Sequence, residues 1–369
     1  MAREKKVHNP LFHVVKREPL PFLPALGIRA AAVVAALIVS ALVITVLSQQ
    51  NPLEVYKSMF EGSFGSSVRI WNLALNLAML LCVSLVVTPA FKMKFWNIGA
   101  EGQVLISGLA TVACMFFLGD QFAFLGDKKP YVLIPIMLGA SILAGILWAV
   151  LPAIAKALWN TNETLFTLMM NYIAIQLVAY FLKKYVKSGS GVLEPMPQHG
   201  LPVIGDMDYL LSILIVLALT VIVYVYLKHS KQGYEISVVG ESVNTAKYIG
   251  INVKKVIIRT LAISGAIAGV AGFLLVGGIN HTISTTTVGG RGFTAIMVSW
   301  LAKFNPLTMI ITSFLIVFME RGAEQISSDF NVDPSISDIL TGIILFFIIG
   351  CEFFLQYKIV FNKNRKEEV

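Results

Sequence analysis

Ten apolar runs recur along this chain, most of them long enough to cross the ~30 Å hydrocarbon core of a bilayer as a helix. They are Leu26–Leu47, Ile70–Val87, Gly102–Leu118, Tyr131–Val150, Glu163–Leu182, Leu210–Leu227, Val256–Val276, the short Gly292–Leu301, Leu307–Met319 and Ile336–Phe354. Of the 369 residues, 56% are hydrophobic and only 14% charged. A soluble domain carries about a quarter charged residues, so the deficit of charge excludes an ordinary water-facing fold. The fold class expected is an all-α polytopic membrane protein of about ten transmembrane helices. A net charge of +8 raises nucleic acid as a partner, but the Lys and Arg cluster in short segments between the apolar runs. That distribution reads as membrane topology, and no nucleic-acid partner is expected.

With the amino terminus in the cytoplasm, Lys92, Lys94, Lys156, the loop Lys228–Lys255, Lys303 and the carboxy-terminal "YKIVFNKNRKEEV" all fall inside, as the positive-inside rule requires. The expected organisation is a cytoplasmic tail over 1–25, a membrane domain over 26–356 with a cytoplasmic loop at 229–255, and a cytoplasmic tail over 357–369. The first apolar run is too long for a signal-peptide core and is read as a retained span. Cys82, Cys114 and Cys351 lie inside apolar runs without pairing or metal spacing, so they read as core thiols.

Ten spans divide as five plus five, and an odd-numbered half places its copy upside down in the membrane. "FWNIGAEGQ" (Phe95–Gln103), between the second and third spans, has a faint counterpart in "TTTVGGRGFTA" (Thr285–Ala295), between the seventh and eighth. Both are Gly-rich, polar interruptions at matching places, so an inverted repeat with interrupted helices is expected. Backbone freed at Gly99, Gly102, Gly289, Gly290 and Gly292 cannot face lipid, because each unpaired amide costs several kcal/mol there. It must line a protein-enclosed or wet cavity, where Asn97, Glu101 and Gln103 supply polar groups. The competing account is an interfacial loop anchored by Phe95 and Trp96.

"TNETLFTLMMNY" (Thr161–Tyr172) opens the fifth span. Glu163 stands in its first turn, where a carboxylate complements the helix dipole and Thr161 or Asn162 can cap the end. Asn171, two turns on, shares that face deeper in the membrane, either to bond a neighbouring helix or to serve transport. "GAIAGVAG" (Gly265–Gly272) offers small residues for close helix contact, within the chain or between subunits. In the loop "KQGYEISVVGESVNTAKYIGINVKKV" (Lys231–Val256), Ser242 can cap a two-turn helix "VNTAKYI" that ends at Gly250. Such a helix is suited either to contact with another protein or to lying on anionic lipid.

No GxxxxGK[ST] phosphate loop, no HExxH metal spacing and no GxSxG nucleophile motif occurs. The five histidines are scattered. No catalytic residue, metal or cofactor is expected, and a membrane enzyme is disfavoured.

"GESVNTAKYIGINV" resembles the G-x5-A-x-Y-x-G-I cytoplasmic signature of membrane subunits in the ribose and branched-chain amino acid class of bacterial ABC importers. "FWNIGAEGQ", "NETLFTLMMNY" and "VGGRGFTAIMVSWLAKFNP" look like the patterns of its nucleoside and simple-sugar branch, and the resemblance runs from about Asn51 to Phe354. Departures are small: Thr245 stands where Ala is common, Met169-Met170 where Met-Leu is usual, and Ser299-Trp300 in place of Ala-Leu. The resemblance implies a permease in the bacterial cytoplasmic membrane. Its implied partners are a second permease subunit, a cytoplasmic ATP-binding subunit and a surface substrate-binding lipoprotein. It also implies that Gly240, Ala246, Tyr248, Gly250 and Ile251 form the helix that couples to the ATPase. Asn97, Glu101, Gln103, Glu163, Asn171 and Phe293 would line the substrate pathway.

Nucleosides are the expected substrate, with the aromatics Phe95, Trp96, Phe293 and Trp300 available to stack a base. A simple sugar such as ribose or galactose is the alternative within the family. A proton-coupled secondary transporter using Glu101 or Glu163 is the alternative outside it, but it has no need of an ATPase-docking helix.

Overall fold

The computed structural model describes residues 12–18, 21–47, 50–122, 126, 129–186, 193–203, 209–331 and 333–361. Much of the two expected tails, and the middle of the segment Lys183–Asp208, lie outside the described residues. Among the described residues the chain is almost entirely helical, and it divides into two compact units.

The first unit joins Met1–Arg69 to Phe318–Val369. It contains β1 (Phe12–Lys16), α1 (Phe22–Leu47), α2 (Pro52–Phe64), the end of α12 (Pro306–Phe330), α13 (Pro334–Gln356) and β2 (Tyr357–Phe361). The strands pair antiparallel, Phe12 opposite Phe361 and Lys16 opposite Tyr357, so the two ends of the described chain are tied together. Helix α2 sits in a stretch that the apolar-run pattern passes over. It starts on an Asn51 cap with Pro52 in its first turn, and its buried Val55, Ser58, Met59 and Ser63 fall on one face at helical spacing. Ile44, Met59, Met319, Ile326 and Ile344 form the apolar core of this unit.

The second unit spans Ile70–Val317. It holds most of α3 (Ser67–Lys92), then α4 (Ala100–Leu118), α5 (Lys129–Trp159), α6 (Glu163–Tyr185), α7 (Leu210–His229), α8 (Lys231–Glu241), α9 (Val243–Tyr248), α10 (Val253–Phe273), α11 (Arg291–Leu301) and the start of α12. Helix α10 continues into a wider π-helical turn over Leu274–Asn280 and is the central post. Of its most apolar window 72% is buried, against 28% for α7.

The post packs backbone to backbone. A Cβ on Gly265 would stand 2.4 Å from the Gly145 oxygen of α5, and one on Gly272 would stand 2.6 Å from the Gly108 nitrogen of α4. The small residues of "GAIAGVAG" therefore serve contact within the chain. Ser141 on α5 completes the joint, donating to the backbone oxygens of Ser107 (2.9 Å) and Gly269 (2.7 Å), which gives a buried hydroxyl the partner it needs in lipid.

Among the described residues seven helices are long and apolar enough to cross a membrane: α3, α4, α5, α6, α7, α10 and α12. The first and tenth apolar runs lie in α1 and α13, whose apolar stretches (Ala30–Val46 and Ile339–Leu355) are shorter. The eighth run forms the 11-residue α11, which starts at Arg291 immediately after Gly289 and Gly290 at positive φ. Among the described residues seven of the ten expected spans are thus matched by helices long and apolar enough to cross. Helices α1 and α13 carry two more in shorter apolar stretches, and α11 is the short one.

Candidate functional site

Helix α3 ends at Lys92, and Met93–Gly99 runs as irregular backbone before α4 begins at Ala100. Three buried carboxamides hold this break. Asn97 Oδ1 accepts from the Gly99 backbone (3.0 Å) and from Gln103 Nε2 (3.3 Å), while Asn97 Nδ2 donates to Gln103 Oε1 (3.4 Å). Asn171 on α6 accepts from the Gly102 nitrogen and donates to the Ile98 oxygen, both at 2.9 Å. One turn earlier on α6, Thr167 Oγ1 accepts from the Ile98 nitrogen (3.2 Å). Gly102 is required here, since a Cβ would lie 2.8 Å from Asn171 Oδ1 and 2.9 Å from its Cα. Side chains thus serve the backbone of Ile98, Gly99 and Gly102, while Met93, Lys94, Phe95 and Asn97 donate to nearby backbone oxygens.

Glu101 does something different. Its Oε1 accepts from the Gly290 nitrogen at 2.9 Å and its Oε2 from the Gly292 nitrogen at 2.7 Å. Gly290 occupies the N-cap position of α11 with φ +77° and has no side chain to cap with. The carboxylate of α4 supplies that cap from another segment, with the charge that the positive end of a helix favours. The two Gly-rich interruptions therefore meet, joined by one side chain. Beside them Arg291 Nη2 donates to Asn76 Oδ1 of α3 at 3.0 Å. Neither Arg291 nor Asn76 is among the site residues that the sequence motifs suggest. A carboxamide inside an apolar run and a cation in the Gly-rich interruption are the signal that finds them.

Two further site residues lie apart from this network. Phe293 is half exposed on α11, on one face with the exposed Met297 and Trp300. Trp300 meets the exposed Trp96 of the break with ring centroids 5.5 Å apart, whereas Phe95 is buried. Behind this face Ser299 bonds Thr88 of α3 at 3.0 Å. Glu163 pairs with Lys156 across the α5–α6 turn at 2.8 Å, while Asn162 Oδ1 caps α6 through the Leu165 nitrogen. Among the described residues no group of three His, Cys, Asp or Glu could hold a metal.

The loop between α7 and α10 folds as α8 and α9. Ser242 caps α9, its hydroxyl accepting from the Thr245 nitrogen at 3.2 Å. Ala246 is buried and its oxygen accepts from the Ile251 nitrogen (2.9 Å), closing the turn in which Gly250 takes φ +84°. Tyr248 is 92% exposed. Gly240 lies against the foot of α3, where a Cβ would stand 2.3 Å from the Lys92 oxygen. The loop is therefore attached directly to the helix that leads into the break.

Comparison with known proteins agrees with this architecture. The family model described as branched-chain amino acid transport system / permease component matches residues 68–349. A guanosine ABC transporter permease protein of Bacillus subtilis is 28% identical over 301 residues, covering 79% of this chain and 84% of the relative. A glucose ABC transporter permease protein of Haloferax volcanii is 25% identical over 333 residues, covering 86% and 85%. A nucleoside ABC transporter permease protein of Lactococcus lactis is 23% identical over 312 residues, covering 81% and 84%. Membrane subunits of this family associate with separate ATP-binding and substrate-binding components and carry no ATPase site of their own. The chain belongs to the branched-chain amino acid transport system permease family: it is a multi-pass ABC transporter permease of the nucleoside and sugar branch.

Proposed function

We propose that the chain is a translocation subunit of an ATP-driven importer of nucleosides. The observation that carries this is the aromatic face beside the joined breaks: Trp96 and Trp300 in ring contact and Phe293 two turns away on the same helix face, all half exposed. Flat, rigid, π-rich surfaces suit a nucleobase. Two of the relatives are named for guanosine or nucleoside transport. In this account Asn97, Gln103 and Asn171 hold the irregular backbone, Glu101 fixes the start of α11, and the aromatic face meets substrate. Glu163, paired with Lys156, stands at the inner mouth of the pathway. Gly240, Ala246, Tyr248, Gly250 and Ile251 build the element that docks on the cytoplasmic ATP-binding subunit, with Tyr248 as the exposed contact. The termini and 229–255 then face the cytoplasm, and 183–208 faces outside, towards a substrate-binding lipoprotein. A second, different permease subunit completes the channel.

A simple sugar is the competing substrate, favoured by the relative named for glucose transport. Competition decides between them. Uptake of labelled guanosine by cells expressing the assembled transporter should be blocked by excess nucleosides and left unchanged by glucose, ribose or galactose. Trp300→Leu should lower the apparent affinity for nucleoside about three- to tenfold, the worth of one aromatic contact. Uptake blocked by a sugar, with Trp300→Leu silent, overturns the nucleoside assignment.

A further inference from the structure

Next to the exposed α9 the structure contains a crevice whose rim includes Gly250 and Ile251 of the docking element but whose charged side chains have no role in the proposed function. It has a volume of about 460 Å³ and is walled by Lys231 and Glu235 of α8, the turn Ile249–Asn252, and Lys255 and Arg259 of α10. Three cationic side chains face one carboxylate there, and that carboxylate is already taken: Glu235 pairs with Arg259 Nη2 at 2.6 Å. The crevice also opens on the start of α10. There Asn252 Oδ1 caps the Lys255 nitrogen (3.1 Å), and the positive end of a long helix faces the opening. Three cations and a helix N-terminus thus converge on one concave space.

The volume equals that of more than ten waters at about 30 Å³ each, more than a bare phosphate needs. We infer that this crevice binds the phosphate group of a phosphate ester, with Lys231 and Lys255 as the two mobile cations that close on it. Arg259 is held in place by Glu235 and serves as the fixed donor. Charge-assisted bonds from Lys and Arg to phosphate oxygens are the strongest available to such a site. Its walls come from α8, the α9–α10 turn and α10, so an occupant ties the exposed helix to the central post. Two sources present this chemistry: the headgroup of an anionic phospholipid, or a soluble phosphomonoester such as a nucleoside 5′-monophosphate.

The test uses the full-length chain in nanodiscs and the variant Lys231→Gln/Lys255→Gln, with Lys183→Gln/Lys184→Gln as the charge-matched control. In neutral-lipid discs, line broadening in ³¹P NMR reads binding of uridine 5′-monophosphate. In discs containing phosphatidylglycerol, native mass spectrometry counts the anionic lipids retained. The wild type and the control should bind one of the two probes, and the double variant should bind it at least about tenfold more weakly, as expected for the loss of charged hydrogen bonds. Soluble-ester binding identifies a ligand from the aqueous phase, and retained lipid alone identifies the membrane. The same affinity in wild type and double variant for both probes overturns the site. Lys231 and Lys255 are exposed, so the variant should stay folded. An unchanged elution profile in size-exclusion chromatography checks this, and Lys255→Glu alone should weaken binding at least as much as the double change.

Discussion

The break before α4 and the loop of α8 and α9 carry the two most distinctive motifs of the chain, and they are built on opposite plans. At the break Asn97, Gln103 and Asn171 are buried and spend their hydrogen bonds on one another and on the backbone of Ile98, Gly99 and Gly102. In the loop Ala246 is buried, but Tyr248 is 92% exposed and Val243 and Ile249 are exposed beside it. A polar group inside a membrane must be satisfied by its own chain, whereas an exposed aromatic on a two-turn helix has contacts left to make. Polar residues in an apolar run are therefore a poor guide to which side chains meet a ligand. In this chain the motif whose polar side chains are buried is the self-contained one.

Three substitutions sharpen that contrast. The largest effect is expected at Gly292, where an added Cβ would stand 2.5 Å from the Glu101 nitrogen and 2.8 Å from its Cα. Gly292→Val should cost about 3 kcal/mol or more through overpacking against backbone and should abolish uptake. The check is thermal unfolding of the purified protein followed by size-exclusion chromatography; a variant that melts with the wild type breaks the picture of a closed region.

Glu101→Gln comes next. The carboxylate accepts two backbone N–H groups, and an amide keeps one acceptor while turning a donor towards the other N–H. A loss of about 1.5–3 kcal/mol follows from one charged hydrogen bond removed. A melting temperature between those of wild type and Gly292→Val, with reduced uptake, is the expected outcome. Full stability with lost uptake would show instead that the carboxylate serves substrate and not α11.

The smallest effect on stability is expected for Tyr248→Ala, within about 0.5 kcal/mol because the side chain is free of the fold. Under the proposed function this variant should still lose substrate-stimulated ATP hydrolysis in the assembled transporter. A drop in melting temperature as large as that of Glu101→Gln would place Tyr248 in the fold and end the comparison.

Much of this was legible in the sequence. Helix-length apolar runs identify the crossing helices, because in lipid the backbone leaves few alternatives to a helix. Ser242 and Asn162 cap α9 and α6 as their positions suggest, since capping is a local matter of one side chain and the next turn. The meeting of Glu101 with Gly290 and Gly292 was not legible, because partners some 190 residues apart leave no periodic signal. Helix α2 escaped for a different reason: Glu54, Lys57 and Glu61 dilute its apolar face below what a search for membrane-length runs detects. The eighth run reads as short in the sequence and is short in the structure, since its two flanking glycines mark the start of α11 to within one residue.

The contact between Gly240 and the Lys92 oxygen has a mechanical consequence. A joint made of side chains can yield by changing rotamers and so absorbs small displacements. A Cβ on Gly240 would find only 2.3 Å, so backbone meets backbone there and the contact has almost no slack. Lys92 adds a second tether through its Nζ, which donates to the Leu227 oxygen at 3.2 Å. A displacement of α8 would therefore bear directly on the foot of α3, immediately ahead of the irregular stretch Met93–Gly99. The joint behaves as a bearing and the stretch beyond it as the compliant member. Side chains on the outer face of α8 are then free to vary without loosening the transmission, provided that position 240 stays without a side chain.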